Sequence, residues 1–131
     1  MKRLLIAFTC LVAAFVGITW LALEASSVVV VVTDDGEGEQ RLTRIWYVDT
    51  PGGVALEAGH PDNPWVLDLN AATTLGLQGE ALDGHYEFLL VENSGPQIRK
   101  LMRDKYGWRD VWISLIFDVS RSQMVVLTPV D

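Results

Sequence analysis

Residues 59–65 combine side chains that could hold an anion such as phosphate. They read Gly-His-Pro-Asp-Asn-Pro-Trp and lie between a predicted strand and a predicted helix. Asn63 is expected to cap that helix and Pro64 to occupy its first position. Free backbone N–H groups and the helix dipole at such an N-terminus favour negative charge. We expect His60 to add a donor and Trp65 to form an apolar wall of such a site; the alternative is an ordinary capped loop with Trp65 in the core.

Two arginines, Arg41 and Arg44, provide a second set of candidate anion contacts on the second predicted strand. Their odd spacing sends the two side chains to opposite faces of that strand, so only one is expected to line a cavity. An arginine on an inner face would be costly unless it met an anion. The alternative is a pair of solvated arginines on the sheet surface.

Other polar clusters favour simpler interpretations. Residues 34–39 are acidic and glycine-rich but lack the ligand ladder of a calcium loop, so we interpret them as a turn. His60 and His85 do not have the spacing of metal ligands, and no nucleotide-loop, cysteine-pair or serine-hydrolase motif occurs. A basic cluster near one helix end is interpreted as a solvated face, with a cofactor or lipid-headgroup contact as the alternative: Arg99, Lys100, Arg103, Lys105 and Arg109.

The elements that must position these residues begin with an uninterrupted apolar run at residues 4–23. A helix of about 20 residues, at about 1.5 Å each, matches the thickness of a bilayer core. An uncleaved anchor is the preferred interpretation, with a cleaved secretory signal as the alternative. Lys2 and Arg3 precede the run and acidic residues follow it, which predicts a single-pass protein of the cell inner membrane with its domain facing the periplasm or exterior. The predicted division is an anchor at residues 1–25 and a domain at 26–131.

Composition narrows the class of partner. The chain has 131 residues and a formal net charge of −7, and beyond residue 25 the balance is 16 acidic against 8 basic side chains. An acidic surface of this kind repels phosphate backbones, so nucleic-acid binding is not expected. The single cysteine, Cys10, lies in the apolar run, so the domain can form no internal disulfide.

The domain pattern predicts a mainly β (α+β) fold, namely a six-stranded barrel with flanking helices. Strands are expected near residues 28–33, 42–48, 54–58, 73–78, 86–92 and 123–128. A short helix should begin at Pro64, and a longer one should follow a capping box made by Ser94 and Gln97. A further helix is expected at residues 110–117.

Several segments, taken together, resemble a known family. They are residues 41–49 (Arg-Leu-Thr-Arg-Ile-Trp-Tyr-Val-Asp), 55–59 (Ala-Leu-Glu-Ala-Gly), 63–71 (Asn-Pro-Trp-Val-Leu-Asp-Leu-Asn-Ala), 105–110 (Lys-Tyr-Gly-Trp-Arg-Asp) and 118–122 (Asp-Val-Ser-Arg-Ser). Their order resembles the nitroreductase/quinone-reductase family of deazaflavin-dependent proteins. That family belongs to the pyridoxamine-phosphate-oxidase-like, FMN-binding split barrels. The resemblance covers roughly residues 28–128, essentially the whole domain.

The resemblance implies a split barrel with FMN or a deazaflavin lying across it. Strand arginines and the loop before the Pro-Trp helix would hold the phosphate. The cofactor would supply the hydride, and the protein would supply orientation and a dry pocket. The candidate cofactor-binding residues are Arg41, Arg44, Gly59, His60, Asn63 and Trp65. No residue is singled out as catalytic, and no metal site is expected.

The leading hypothesis is therefore a membrane-anchored split-barrel protein that binds a flavin-type cofactor and reduces a quinone or a nitro-type acceptor. Related barrels commonly build the cofactor cleft between two subunits, so a homodimer is one expectation. Whether the chain is an enzyme stays open, because two alternatives remain. One is a non-catalytic binding or interaction module with the same barrel. The other is a haem or lipid-ligand binder, for which only His60 or His85 could ligate iron.

Overall fold

A computed structural model describes residues 1–23 and 28–130 of the chain. Helix α1 (Lys2–Leu23) occupies the N-terminal apolar run and has 22 residues. It is one helix that is long and apolar enough to cross a membrane, by length and composition. The predicted boundary at residue 25 falls within residues 24–27, which lie outside the described part of the chain.

Six antiparallel strands form a closed barrel in the order β1-β2-β3-β6-β5-β4. Their bounds are β1 (Val28–Asp34), β2 (Gln40–Thr50), β3 (Gly53–Ala58), β4 (Thr74–Gln78), β5 (Gly84–Val91) and β6 (Gln123–Pro129). The run of valines in β1 alternates between buried and half-buried positions, as a strand with one face in a core requires. The predicted mainly β fold with a six-stranded barrel is confirmed. Closure leaves no long strand edge exposed.

Three helices flank the barrel: α2 (Pro64–Asp68), α3 (Gly95–Tyr106) and α4 (Trp108–Ile116). A 3-10 turn (Leu69–Ala71) extends α2. The predicted capping box before α3 is wrong, because the Ser94 side chain makes no cap hydrogen bond. Its hydroxyl instead donates to the carbonyl of Val91 and accepts from the N–H of Met124, at 2.5 and 2.7 Å. The Ser94 side chain therefore ties β5 to β6, and only its backbone carbonyl, which accepts from the N–H of Ile98 at 3.0 Å, contributes to the start of α3.

Two apolar cores hold these elements together. One fills the barrel and includes Leu56, Leu77 and Leu127, none more than 1% exposed. The second lies between α3 and the sheet. There Ile98 and Met102 are fully buried because their spacing of four places them on one helix face. Every strand contributes to at least one core, so the barrel is a rigid support for anything built on its rim.

The turns follow the sequence prediction. Residues 34–39 form a hairpin turn in which the Asp34 carboxylate accepts from the Gly36 N–H at 2.8 Å. Gly53 starts β3 with φ at +131°, and a Cβ there would lie 2.7 Å from the carbonyl oxygen of Leu127. Only glycine allows β3 to approach β6 this closely.

Candidate ligand-binding cleft

An open cleft of about 1050 Å³ runs along β2. The loop after β3, the start of α2, the segment between α4 and β6 and the last turn of α1 also border it. The volume is in the range of sites that hold cofactor-sized ligands. It is the place where the barrel, the flanking helices and the N-terminal helix meet.

All six residues that the sequence suggests as cofactor contacts line this cleft: Arg41, Arg44, Gly59, His60, Asn63 and Trp65. One part of the expectation is wrong, since both arginines line the cleft although their spacing predicts that only one should. The reason is that all of residues 41–46 contribute to the lining, so the cleft follows the strand and is bordered by consecutive residues of both its faces. The binding role of the six residues stays a prediction.

Arg41 is held in place by a carboxylate that the sequence did not single out. Its Nε donates to Asp68 Oδ2 at 2.8 Å, and the hydroxyl of Thr33 donates to the same oxygen at 2.7 Å. The Asp68 side chain is 7% exposed and that of Arg41 is 39% exposed. Among the described residues, the two Nη groups of Arg41 have no hydrogen-bond partner. The guanidinium is therefore fixed at one edge and open at the other.

The charge state of Asp68 follows from these contacts. Burial by itself raises the pKa of the Asp68 carboxyl, but the hydrogen bonds from Thr33 and Arg41 and the charge of Arg41 outweigh it. The net result is a pKa below the ordinary value. Asp68 is thus ionised at neutral pH and holds Arg41 as an ion pair.

His60 lies in the loop between β3 and α2. Its Nδ1 is 3.1 Å from the backbone nitrogen of Asp62, and its Nε2 is 3.1 Å from Nη1 of Arg121. A neutral imidazole can accept at only one of its nitrogens, so the ring accepts from one of these donors at a time. A ligand that needs the Nε2 lone pair must displace Arg121. His60 is thus positioned in the cleft but already engaged.

The loop does not supply the helix cap that was expected. The side chain of Asn63 makes no capping hydrogen bond, whereas its backbone carbonyl accepts hydrogen bonds from the N–H groups of Val66 and Leu67 at 2.9 and 3.1 Å. Pro64 does occupy the first turn, as predicted. Because α2 has only five residues, its dipole is small and the arginines are the stronger candidates for an anion contact.

Apolar and acidic groups complete the lining. Trp65 is 3% exposed and belongs to the barrel core, so the interpretation as a core residue is confirmed although it also borders the cleft. Trp46 stacks on Tyr106 with ring centroids 4.2 Å apart. Asp118 also lines the cleft. Hydrogen bonds from Ser120, assisted by nearby cations, hold the pKa of Asp118 below its usual value. The cleft therefore combines cations, carboxylates and aromatic surface.

Glu57 connects the cleft to a buried ionic network that the sequence analysis missed. Its Oε1 accepts from Nη1 of Arg99 at 2.6 Å and from the Ser122 hydroxyl at 2.7 Å. Nη2 of Arg99 donates to Asp110 at 2.5 Å, and Nε of Arg103 donates to the other oxygen of Asp110 at 2.8 Å. The prediction of a solvated basic face is therefore wrong for Arg99. The signal that could have found the network is Asp110, an acid placed among basic residues in the sequence.

The described residues offer few side chains that could ligate a metal ion or haem iron. Within residues 1–23 and 28–130, no group of three or more His, Cys, Asp or Glu side chains could hold a metal ion. His85 lies at the start of β5, three strands from β2 in either direction around the barrel. It lies outside the cleft lining described above. Of the two candidate haem ligands, only His60 is in the cleft.

Comparison with known proteins identifies the fold. No protein-family model matches the sequence, and no curated protein matches it. HutZ, the heme storage protein from Vibrio cholerae, is 13% identical with a TM-score of 0.59 over 84% of this chain and 86% of that one. A candidate 5-nitroimidazole resistance protein from Bacteroides thetaiotaomicron is 13% identical with a TM-score of 0.51 over 83% and 75%.

ChuZ from Campylobacter jejuni is 14% identical with a TM-score of 0.51, and the match covers 77% of this chain and 47% of that one. At such identities the likeness concerns the backbone alone. The chain therefore shares the split-barrel fold of these proteins.

Proposed function

We propose that this chain is a membrane-anchored split-barrel protein that binds a flavin-type cofactor in the cleft along β2. In this proposal residues 1–25 form the anchor and residues 26–131 form the binding domain. The observation that carries the proposal is the convergence of Arg41, Arg44 and the His60 loop on one cleft beside aromatic surface. Anionic groups and flat ring systems are the ligand features that such a lining recognises.

Arg41 is the main candidate for the phosphate contact. Its Nε is bonded to Asp68, and its Nη groups are left for a ligand. Because Asp68 already orders the side chain, a phosphate would bind without the full entropic cost of immobilising an arginine. Arg44 lies three residues further along the same strand and lines the same cleft. The ring system would then lie against the apolar part of the lining, which includes Ile45 and Trp46.

The reaction proposed is reduction of a quinone or nitro-type acceptor. A bound flavin or deazaflavin would supply the hydride, and the residues of this chain would hold its phosphate, orient its ring and exclude water. One structural neighbour is named for 5-nitroimidazole antibiotic resistance, and 5-nitroimidazoles are nitro compounds. An anchored domain would also lie close to quinones dissolved in the bilayer.

The location proposed is the cell inner membrane, with the domain on the periplasmic or exterior side. Lys2 and Arg3 before α1 support this orientation through the positive-inside rule. A homodimer is proposed as the assembly. The outer face of β2 supports it, because Leu42 is 62% exposed in the middle of the cleft lining and a second copy would cover it.

Haem is the second candidate ligand, and two observations favour it. HutZ is named as a heme storage protein, and His60 lies in the cleft of this chain. Haem also carries two carboxylates that could meet Arg41 and Arg44. Ligation through Nε2 of His60 would require Arg121 to move, since the two groups are 3.1 Å apart.

The test is a set of titrations of the full chain in detergent micelles with FMN, a deazaflavin and hemin. We expect FMN or the deazaflavin to bind. Loss of a charge-assisted contact of about 1.5–3 kcal/mol should weaken binding roughly ten- to a hundredfold in Arg41→Ala. Lys100→Ala is the matched control, because this cation is exposed and pairs with Asp104 within α3. It should leave the affinity unchanged.

The other results would each point elsewhere. A Soret band that forms with hemin and disappears in His60→Ala would support haem instead of flavin. No binding of any of the three ligands, with Arg41→Ala and Arg44→Ala both silent, would favour a binding or interaction module without a cofactor. If a flavin binds, reduction of a soluble quinone by the reduced complex would test the enzymatic part of the proposal.

A further inference from the structure

Helix α4 is polar on its inner face and apolar on its exposed face, the reverse of a helix at the surface of a soluble domain. The face turned to α3 carries Asp110 and Ser114, and both accept hydrogen bonds from Arg99 of that helix. The opposite face is apolar and exposed, with Leu115 78% exposed. The exposed apolar residues at this end of the molecule are Trp108, Val111, Leu115, Ile116 and Phe117. A contiguous apolar surface of this kind marks a contact with another partner.

The contact between α4 and α1 indicates what that partner is. The indole Nε1 of Trp112 donates to the hydroxyl of Thr19 at 2.9 Å, and its ring lies 5.6 Å from that of Phe15. Phe15 is eight residues before Leu23, the last residue of α1, which corresponds to about 12 Å along the helix axis. If α1 spans a bilayer, Trp112 cannot contact Phe15 unless α4 lies at the membrane surface.

The residue types at this junction fit the interfacial zone of a bilayer. Three of the five tryptophans of the chain lie here: Trp20, Trp108 and Trp112. Tryptophan is enriched at the level of lipid headgroups because its ring is apolar and its N–H is polar. A helix that lies in this zone has one apolar face and one polar face, as α4 does.

We propose that the apolar face of α4 is a second membrane contact, which lies in the headgroup and upper acyl region of the bilayer beside α1. This inference rests on the membrane anchoring in the proposed function. Its consequence concerns the ligand. Trp20 and Leu23 of α1 line the cleft together with Ile113 and Phe117 of the α4 end. This wall then lies at lipid level, so an amphiphilic acceptor can reach the cleft from the bilayer.

The experiment uses the full chain in vesicles of phosphatidylcholine and phosphatidylglycerol, with one nitroxide label on each protein. Native Cys10 reports on α1, and Leu115→Cys in a Cys10→Ser background reports on α4. Glu87→Cys in the same background is the control, because Glu87 is exposed on β5, opposite β2 in the barrel. Collision rates with oxygen, which dissolves in lipid, and with a water-soluble nickel chelate are measured for each label.

We expect the label at position 115 to collide several-fold less with nickel than the label at 87, and several-fold more with oxygen. Leu115 is mostly exposed, so the substitution should not disturb the fold, and circular dichroism checks this. If position 115 is as accessible to nickel as position 87 while Cys10 is shielded, the α4 proposal fails and the anchor stands.

Two further results would also overturn it. If Cys10 itself is accessible to nickel, α1 is not inserted, and the anchor and the α4 contact fail together. If position 115 is shielded from both reagents and its spectrum is broadened by a second nitroxide, another copy of the chain covers this face in place of lipid.

Discussion

Arg41 and Arg99 each meet a carboxylate, and they differ in how fully the protein uses their donors. Nη1 of Arg99 donates to Glu57, and Nη2 donates to Asp110 and Ser114. Its side chain is 17% exposed. Arg41 gives only its Nε to Asp68 and keeps its Nη groups at the edge of an open cleft.

The difference separates a structural cation from one that is available to a ligand. The carboxylates around Arg99 are desolvated, so removal of the cation would leave buried charge without a partner. Arg41 is more exposed and its partner Asp68 also receives a hydrogen bond from Thr33. Substitution of Arg99 should therefore mainly lower the stability of the fold, and substitution of Arg41 should mainly lower the affinity for the ligand.

The largest effect is expected for Arg99→Met. This change keeps the length of the side chain and removes the charge from between Glu57 and Asp110. Breaking a buried ion pair typically costs about 3–5 kcal/mol, so the free energy of unfolding should fall by about that amount. Urea denaturation of the full chain in detergent, followed by circular dichroism, measures it.

The control for this prediction is Lys100→Met on the same helix. Lys100 pairs with Asp104 one turn away, and both side chains are largely exposed. Surface pairs of this kind contribute less than about 1 kcal/mol. If the two variants lose the same stability, the network around Arg99 is not the link that holds α3 and α4 to the barrel.

The next effect concerns the place where α3 supports β2. The Tyr106 hydroxyl accepts from the N–H of Tyr47 at 3.2 Å and donates to its carbonyl at 2.8 Å. Along β2, the pairing with β1 ends at Trp46, one residue before Tyr47. Tyr106→Phe would leave that N–H without the hydroxyl and should cost about 1–3 kcal/mol. Thermal unfolding measures the loss.

The same variant should bind FMN with unchanged affinity, because its ring still stacks on Trp46. A large loss of affinity with little loss of stability would show that Tyr106 belongs to the binding region. Tyr106 would then be grouped with Arg41 in the ligand-binding region and not with Arg99 in the structural one.

The sequence predicted the fold well because local signals agreed along the chain. The valine run in β1, the proline that opens α2 and the spacing of Ile98 and Met102 each specify an element without tertiary information. The number of strands and the position of the loop with His60 were predicted from these signals, whereas the order of the last three strands around the barrel was not. The predicted residues consequently lie at one place, although no single motif among them is specific.

What the sequence did not predict depends on contacts between distant residues. Asp68 meets Arg41 across 27 positions, and Glu57 meets Arg99 across 42. Periodicity cannot reveal such pairs. The wrong cap at Ser94 has the same origin, since its hydroxyl bonds to Met124 of a distant strand. That both Arg41 and Arg44 line the cleft also required the three-dimensional path of β2.

A smaller effect is expected for Asp68→Asn. The amide keeps the shape of the side chain but loses the ion pair that orders Arg41. One such contact is worth about 0.5–1.5 kcal/mol, so FMN affinity should fall roughly two- to tenfold. Asp62→Asn is the control, since this carboxylate is exposed beside His60. Equal losses in both variants would mean that general negative charge matters and that the position of Arg41 does not.

The smallest effect is the pH dependence of the same ion pair. The pKa of Asp68 is lowered in the folded chain, because hydrogen bonds from Thr33 and Arg41 and the charge of Arg41 outweigh its burial. The stabilisation is therefore complete above the unfolded value of about 3.9 and is lost as the pH falls through the lower native pKa. With Arg41 half exposed it should not exceed about 1 kcal/mol. The difference in unfolding free energy between the native chain and Asp68→Asn should be constant from pH 7 to 5 and shrink below pH 4. A difference that grows in acid would mean that burial of Asp68 outweighs its partners, and Arg41 would then not be held by an ion pair.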